Sequence, residues 1–327
     1  MSYLTSTRLS RAQYVVAIAG ATGTLGREVT AVFLGSYRPF FSRVIALVRD
    51  PSSSGAQALA AKGAELHQLS ESDPLPSLVK ALEGVDVVVN ALPPGPENVQ
   101  DALVKASVER GVKVYFPSEY GVDHRKDYWG YKHPAWLGKR EHDRRARARG
   151  QGKLKVIEVY IGLFLELCLT PFLGFDHANN LYTFYGSPNQ RVSWTSKGDI
   201  GRALAELSLV ALSPELSTRV PDYVRLSGET INITDIRESV QRVRKELGHD
   251  RGEIVLKSED LENFKKSTQE AFPHDPKASL APYLRLAMAE GELDLSVDNN
   301  NDLVNPDQSV WKWKTVEDFA RENNAWS

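Results

Sequence analysis

The stretch VAIAGATGTLGREV, residues 16–29, runs an apolar strand pattern into three glycines and then into a helical pattern. Few features limit a fold as much. Gly20, Gly23 and Gly26 are spaced three apart. After a strand, the first allows a tight turn and the second lets the backbone approach a pyrophosphate. The third lets the helix pack closely on the strand. N–H groups at the start of the helix would then face the phosphates. Three glycines alone also suit an ordinary strand–helix turn. Their place near the N-terminus, inside a strand–helix–strand unit, makes dinucleotide binding the expectation.

The rest of the first half repeats that unit. Apolar runs at Tyr14–Ala19, Arg43–Val48, Val85–Asn90, Val112–Phe116 and Leu154–Tyr160 are nearly continuous, as in strands buried on both faces of a parallel sheet. Between them, GREVTAVFLGSY, DPLPSLVKALEG and ENVQDALVKASVERG carry apolar residues three and four apart. The alternation predicts an α/β fold, a Rossmann-type doubly wound parallel sheet. The second half predicts a smaller, partly interleaved α/β substrate domain. Residues 170–198 read as loop-rich, and GDIGRALAELSLVAL as a helix capped by Asp199. DYVRLSG looks like a strand, near 223–227, returning to the main sheet. NITDIRESVQRVRKELG is a helix with Asn232 or Thr234 at its start and Gly248 as its stop. The C-terminal PDQSVWKWKTVEDFARENN suggests a small helix whose two tryptophans pack onto the second domain. The expected division is a cofactor-binding domain at 1–160 and a substrate-binding domain at 161–327.

Composition narrows the function classes. Lys plus Arg number 40 and Asp plus Glu 42, a net charge of −2, which argues against a protein built to coat nucleic acid or an anionic membrane. The single cysteine, Cys168, allows neither an internal disulfide nor a cysteine zinc site. His124, His133, His142 and His177 show no recurring ligand spacing, so no metal is expected. Residues 1–13 carry Arg8 and Arg11 without an apolar core, unlike a signal peptide. The apolar segment VIEVYIGLFLELCL is interrupted by Glu158 and Glu166. These features predict a cytoplasmic protein; they leave a homodimer open.

Cofactor choice turns on the end of the second strand, VIALVRDP. Arg49 would pair with the 2′-phosphate of NADP. Asp50 would hold the free ribose hydroxyls of NAD, unless it merely caps the turn before Pro51.

Several segments together resemble the NmrA-like, isoflavone-reductase-like family of atypical short-chain dehydrogenases. They are GATGTLG, LVRDP, GVDVVVNAL, VQDALVKASVERGVKVYFPSEYG, GDIGRAL and GETINITDIRESV, in that order, and FPSEYG is the most specific. That family includes the phenylcoumaran benzylic ether and pinoresinol–lariciresinol reductases. The resemblance covers nearly the whole chain. It implies NADPH as cofactor, with Arg49 on the 2′-phosphate, and a variable second domain closing over the nicotinamide. Family cofactor positions fall on Thr22, Thr24, Leu25, the turn Ala91-Leu92-Pro93, Gln100, Ser118 and Gly162-Leu163-Phe164. The plant reductases tend to carry Asn where this chain has Gly162, a departure that keeps the cofactor wall and puts the plant-type substrates in question. The family lysine that opens the helix after the FPSEYG loop falls on Lys139, in contact with cofactor and as catalytic base.

In the benzylic ether reductases such a lysine helps ionise a phenol, opening the ether to a quinone methide that accepts hydride from C4 of NADPH. A lysine acts as a base near neutrality only if burial or a positive neighbour lowers its pKa from about 10.4. The plain alternative for Lys139 is one charge on a solvated helix, KREHDRRARARGQGKLK, whose Arg144, Arg145, Arg147 and Arg149 could also face a nucleic acid or a protein. A rival acid–base pair is Tyr128 and Lys132, spelled Y-x-x-x-K, with which the protein would be a ketone or enone reductase. Gly130 within it and Pro134 after it disfavour the rigid helix that pair needs. Tyr128, Trp129, Tyr131 and Trp136 read instead as a lid, with Tyr120, Phe164 and Leu167 lining the pocket of a small aromatic, phenolic substrate. The other function class is a dinucleotide-sensing regulator without catalysis, as some members of the family are.

Overall fold

A strand buried on both faces must be apolar at every position, and this is how the first half of the chain is built. The computed structural model describes residues 14–93, 95, 97–126, 133–271 and 279–326. Strands β1 (Tyr14–Ala19), β2 (Phe41–Val48), β3 (Glu65–Gln68), β4 (Val87–Asn90), β5 (Val114–Phe116) and β6 (Lys155–Val156) form one parallel sheet in the order β3-β2-β1-β4-β5-β6. Successive residues serve opposite faces. Val16 and Ile18 belong to the core on one side, Ala17 and Ala19 to the core on the other. Helices α1 (Thr24–Leu34), α2 (Ser54–Ala61), α3 (Pro74–Ala81), α4 (Glu97–Glu109) and α5 (Pro134–Gly150) make the crossovers. The fold is therefore the expected doubly wound α/β type. Strand order reverses between β1 and β4, which opens a crevice beyond their carboxyl ends. β3 lies outside the five apolar runs because it is an edge strand, half-exposed and polar.

After β6 come β7 (Glu158–Tyr160), β8 (Leu163–Phe164), α6 (Leu165–Cys168), β9 (Phe175–Asp176), β10 (Leu181–Tyr185), β11 (Val192–Thr195) and α7 (Lys197–Leu212). β12 (Tyr223–Arg225), β13 (Glu229–Ile231), α8 (Ile233–Glu246) and β14 (Val255–Glu259) follow. β12 pairs in parallel with β7, one residue beyond β6. Two small sheets, β14-β10-β9 and β13-β11-β8, enclose a separate core around Leu165, Phe175, Tyr182, Trp194 and Ile236. Phe164 packs against both this core and the main one.

Four local expectations are corrected. Residues 170–198 are not chiefly loop: β9, β10 and β11 lie there. Their partners include distant β14, and strands of two to five residues between turn formers show little periodicity. The cap of α7 is Ser196, whose Oγ accepts from Asp199 N; Asp199 sits inside the first turn, accepting from Lys314 N at 2.8 Å and pairing with Arg202 at 2.7 Å. α5 starts at Pro134, well before Lys139, because proline is favoured in the first helical turn. Trp311 and Trp313 precede the last α-helix, Val316–Glu322, and pack on the main core rather than the second. The α8 start falls on Asn232, which forms a capping box with Asp235. Residues 1–13 and the positions Tyr128, Trp129, Tyr131 and Lys132 lie outside the described residues.

Candidate functional site

The glycine loop closes over the switch point. Gly20 has φ +76°, and an added Cβ would stand 2.7 Å from Ala91 O, so the β1 and β4 ends meet only because that position has no side chain. Helix α1 begins at Thr24 with no side chain capping its N-terminus and no acidic residue in its first turn. A helix start left in this way suits an anion. Beside it is a cavity of about 220 Å³ lined by Gly20, Thr22, Gly23, Arg49, Ala91, Leu92, Pro93 and Gln100. Arg49 is largely exposed, its guanidinium 3.8 Å from the Glu71 carboxylate. Asp50 is engaged elsewhere: its carboxylate accepts from Ser52 Oγ at 2.6 Å and Ser52 N at 2.8 Å, bonds that hold its pKa below the usual range. Of the two neighbours, Asp50 serves the turn and Arg49 faces the cavity.

A second cavity, about 230 Å³, shares Leu92 and Gln100 with the first and adds Ser118, Glu119, Lys139, His142 and Arg145. The wall between them is fixed by hydrogen bonds. Ser118 Oγ donates to Leu92 O at 2.8 Å, and Leu92 N donates to Asn90 Oδ1 at 3.1 Å. Asn90 Nδ2 donates to Tyr115 OH at 3.1 Å, and that hydroxyl is 2.9 Å from His142 Nε2. Burial lowers the His142 pKa and favours the neutral ring. Lys139 projects from the second turn of α5, its Nζ 3.6 Å from Glu119 Oε2. The charge facing this ammonium is thus a carboxylate, where a catalytic base was expected to have burial or a positive neighbour.

The remaining named residues are spread out. Thr24, Leu25 and Gly26 form the first turn of α1 and line neither cavity. Gly162, Leu163 and Phe164 carry the chain to β8, beside β11, and likewise line neither. Tyr120 is buried in the main core with its hydroxyl unpartnered among the described residues, and Leu167 is exposed. Trp136 is buried in the second core. The arginines of α5 meet acids: Arg144 with Glu141, Arg145 with Asp101, Arg147 with Asp143 and Asp222, Arg149 with Asp101.

The NmrA-like family model matches residues 12–320. The chain belongs to the NmrA-like family. An oxidoreductase of Aspergillus flavus, aprR, is 28% identical over 196 residues, which are 60% of this chain and 64% of that protein. Phenylcoumaran benzylic ether reductase PT1 of Pinus taeda is 37% identical over 112 residues, 33% of this chain and 36% of the relative. The matches thus cover less than two thirds of these relatives' lengths. The structure of AtPrR2 with NADP+ and (+)-pinoresinol superposes with a TM-score of 0.71 at 20% identity, covering 95% of this chain and 98% of that one, a likeness of fold.

In this NmrA-like chain the ground behind Lys139 is acidic and buried. Glu119 Oε2 lies 2.6 Å from His124 Nε2, which is 3.7 Å from Glu158 Oε2, and all three side chains are almost wholly buried. The Tyr160 hydroxyl donates to Glu158. One ligand atom from each of Glu119, His124 and Glu158 falls within 4.8 Å of the others. Two atoms each about 2.1 Å from one tetrahedral ion stand roughly 3.4 Å apart. The 2.6 Å separation is that of a shared proton instead. Burial, with Asp143 facing it, raises the Glu158 pKa to about 9, so it is a neutral acid at pH 7. These residues were not candidates on sequence grounds. The available signal was Glu158 itself, a carboxylate inside an otherwise apolar strand run.

Proposed function

We propose that this protein is an NADPH-dependent reductase of a small aromatic, phenolic molecule. The observation that carries the reading is that the two cavities adjoin across a shared wall. One holds the glycine loop and Arg49, the other Lys139, and Leu92 and Gln100 belong to both. The uncapped α1 start and the side-chain-free approach of Gly20 to Ala91 fit a pyrophosphate, and Arg49 fits a 2′-phosphate. NADPH, when bound, supplies a hydride from C4 of its nicotinamide. Ser118 and Asn90 keep the wall between the cavities in place. Lys139 takes a proton from the substrate oxygen and returns one to it, as general base and then acid. Residues 161–327 make up the substrate-binding part. The aromatic substrate class rests on the benzylic ether reductase and the pinoresinol complex among the relatives.

The test is NADPH oxidation against phenylcoumarans, lignans, isoflavones and simple aromatic enones, with Lys139→Ala alongside. Turnover lost in the variant with NADPH still bound supports the reading. Turnover that survives Lys139→Ala but not Tyr128→Phe assigns the chemistry to the Tyr128/Lys132 pair. Tight dinucleotide binding without turnover favours the sensing role.

A further inference from the structure

We propose that Glu119, His124 and Glu158 form a proton relay that reloads Lys139 from solvent through the interior of the protein. The inference rests on the reductase reading: the proton Lys139 draws from the phenol goes to the oxygen released, and the phenolate left by hydride transfer takes a second, so Lys139 must be reloaded once per turnover. Lys139 lines the cavity that adjoins the proposed cofactor site, so a bound substrate would stand on its open side. The path behind it is continuous in charged and hydrogen-bonding atoms: 3.6 Å from Nζ to Glu119, 2.6 Å on to His124, and 3.7 Å on to Glu158. Glu158 in turn hydrogen-bonds partly exposed Asp143, and Arg147, 3.7 Å from Glu158 and 2.7 Å from Asp143, orients the two without carrying a proton. The chain therefore ends at the surface.

A structural histidine is commonly locked by a bond at each ring nitrogen, but His124 Nδ1 has no partner among the described residues. The ring can therefore hold one proton on Nδ1 while Nε2, the atom that faces both Glu119 and Glu158, exchanges the other. Each transfer breaks one N–H or O–H bond and forms another. Once Lys139 has given its proton to substrate, the proton held between His124 Nε2 and Glu119 Oε2 passes from Glu119 to the amine, and the ring keeps its Nδ1 proton throughout. The Glu158 carboxyl proton then refills His124 Nε2, and solvent at Asp143 refills Glu158. The longer separations are the kind that tighten when a site is filled. The groups facing the relay are Lys139, Asp143 and Arg147 from α5 and Tyr160 from β7. From the loop holding His124 come Asp123, itself paired with Arg125 and Arg225.

The experiment is side-chain NMR titration of the intact protein without substrate, with Lys139 assigned by Lys139→Arg. It compares wild type with His124→Gln, Glu119→Gln and Glu158→Gln, each checked by circular dichroism and melting. We expect the Lys139 and His124 curves to share inflections in wild type, and those shared inflections to vanish in the Glu119 and His124 variants. Curves for Lys139 that are unchanged in folded His124→Gln and Glu158→Gln overturn the relay. This readout needs no turnover, so failure of the reductase reading would appear separately, as absent NADPH oxidation. With a substrate in hand, His124→Gln should lower kcat roughly tenfold or more with KM little changed and a larger solvent isotope effect. An equal rise in KM with kcat intact counts against it.

Discussion

Lys139 Nζ and Glu119 Oε2 stand 3.6 Å apart, one from the second turn of α5 and the other from the turn after β5. That pairing ties the helix to the sheet end in the lining of the second cavity. It also sets what substitution at Lys139 should do. Alanine should cut turnover by about 10²–10⁴-fold, the usual weight of a positioned acid or base. NADPH affinity should stay within roughly tenfold. Arginine should keep the ion pair yet fail to restore turnover, since a guanidinium does not give up its proton. Steady-state kinetics and dinucleotide titration of both variants check this.

Arg49 should decide between the two dinucleotides. Its loss removes a charge-assisted contact worth about 1.5–3 kcal/mol, or roughly tenfold to a hundredfold in Kd. Arg49→Ala should therefore weaken NADPH and leave NADH unchanged. Asp50→Asn should alter neither, because its carboxylate is committed to Ser52. Fluorescence titration with each dinucleotide measures both.

Gly20→Ala should cost stability and cofactor together. Its φ of +76° and the 2.7 Å approach of the new Cβ to Ala91 O leave the methyl no room. A strain of this kind is worth about 1–3 kcal/mol. Chemical denaturation should show that loss, and NADPH binding should fall with it, since the same displacement moves the wall at Ala91 and Leu92.

Glu158 gives the fold a pH dependence of known sign. Its pKa is raised from 4.5 to about 9, chiefly by burial and further by Asp143 and Glu119, with the Tyr160 bond working the other way. The native state thus holds a proton that the unfolded chain releases near 4.5. The stability this provides is complete below 4.5, declines as pH rises, and is gone above about 9. Glu158→Gln removes the titration. Its melting temperature should fall less than that of wild type between acid and alkaline pH, and parallel curves would contradict the assignment.

The residues around the first cavity were legible in sequence because they are local. A strand, three glycines and a helix start lie within residues 16–29, and Arg49 follows at the end of the next strand. Repeated apolar runs likewise determined the doubly wound sheet, since burial on both faces demands apolar residues at every position. The short strands of 170–198 escaped because their pairing with β13 and β14 is remote in the chain.

For Lys139 the sequence determined only a place after FPSEYG. Its acidic neighbour, the buried His124 and the raised Glu158 come from the turn after β5, α5 and β7, and no spacing along the chain announces that they meet. Residue type and local order thus settled the fold and the glycine loop. Only tertiary packing, which removes water from groups distant in sequence, decided which of the chain's many charges face one another and which hold a proton.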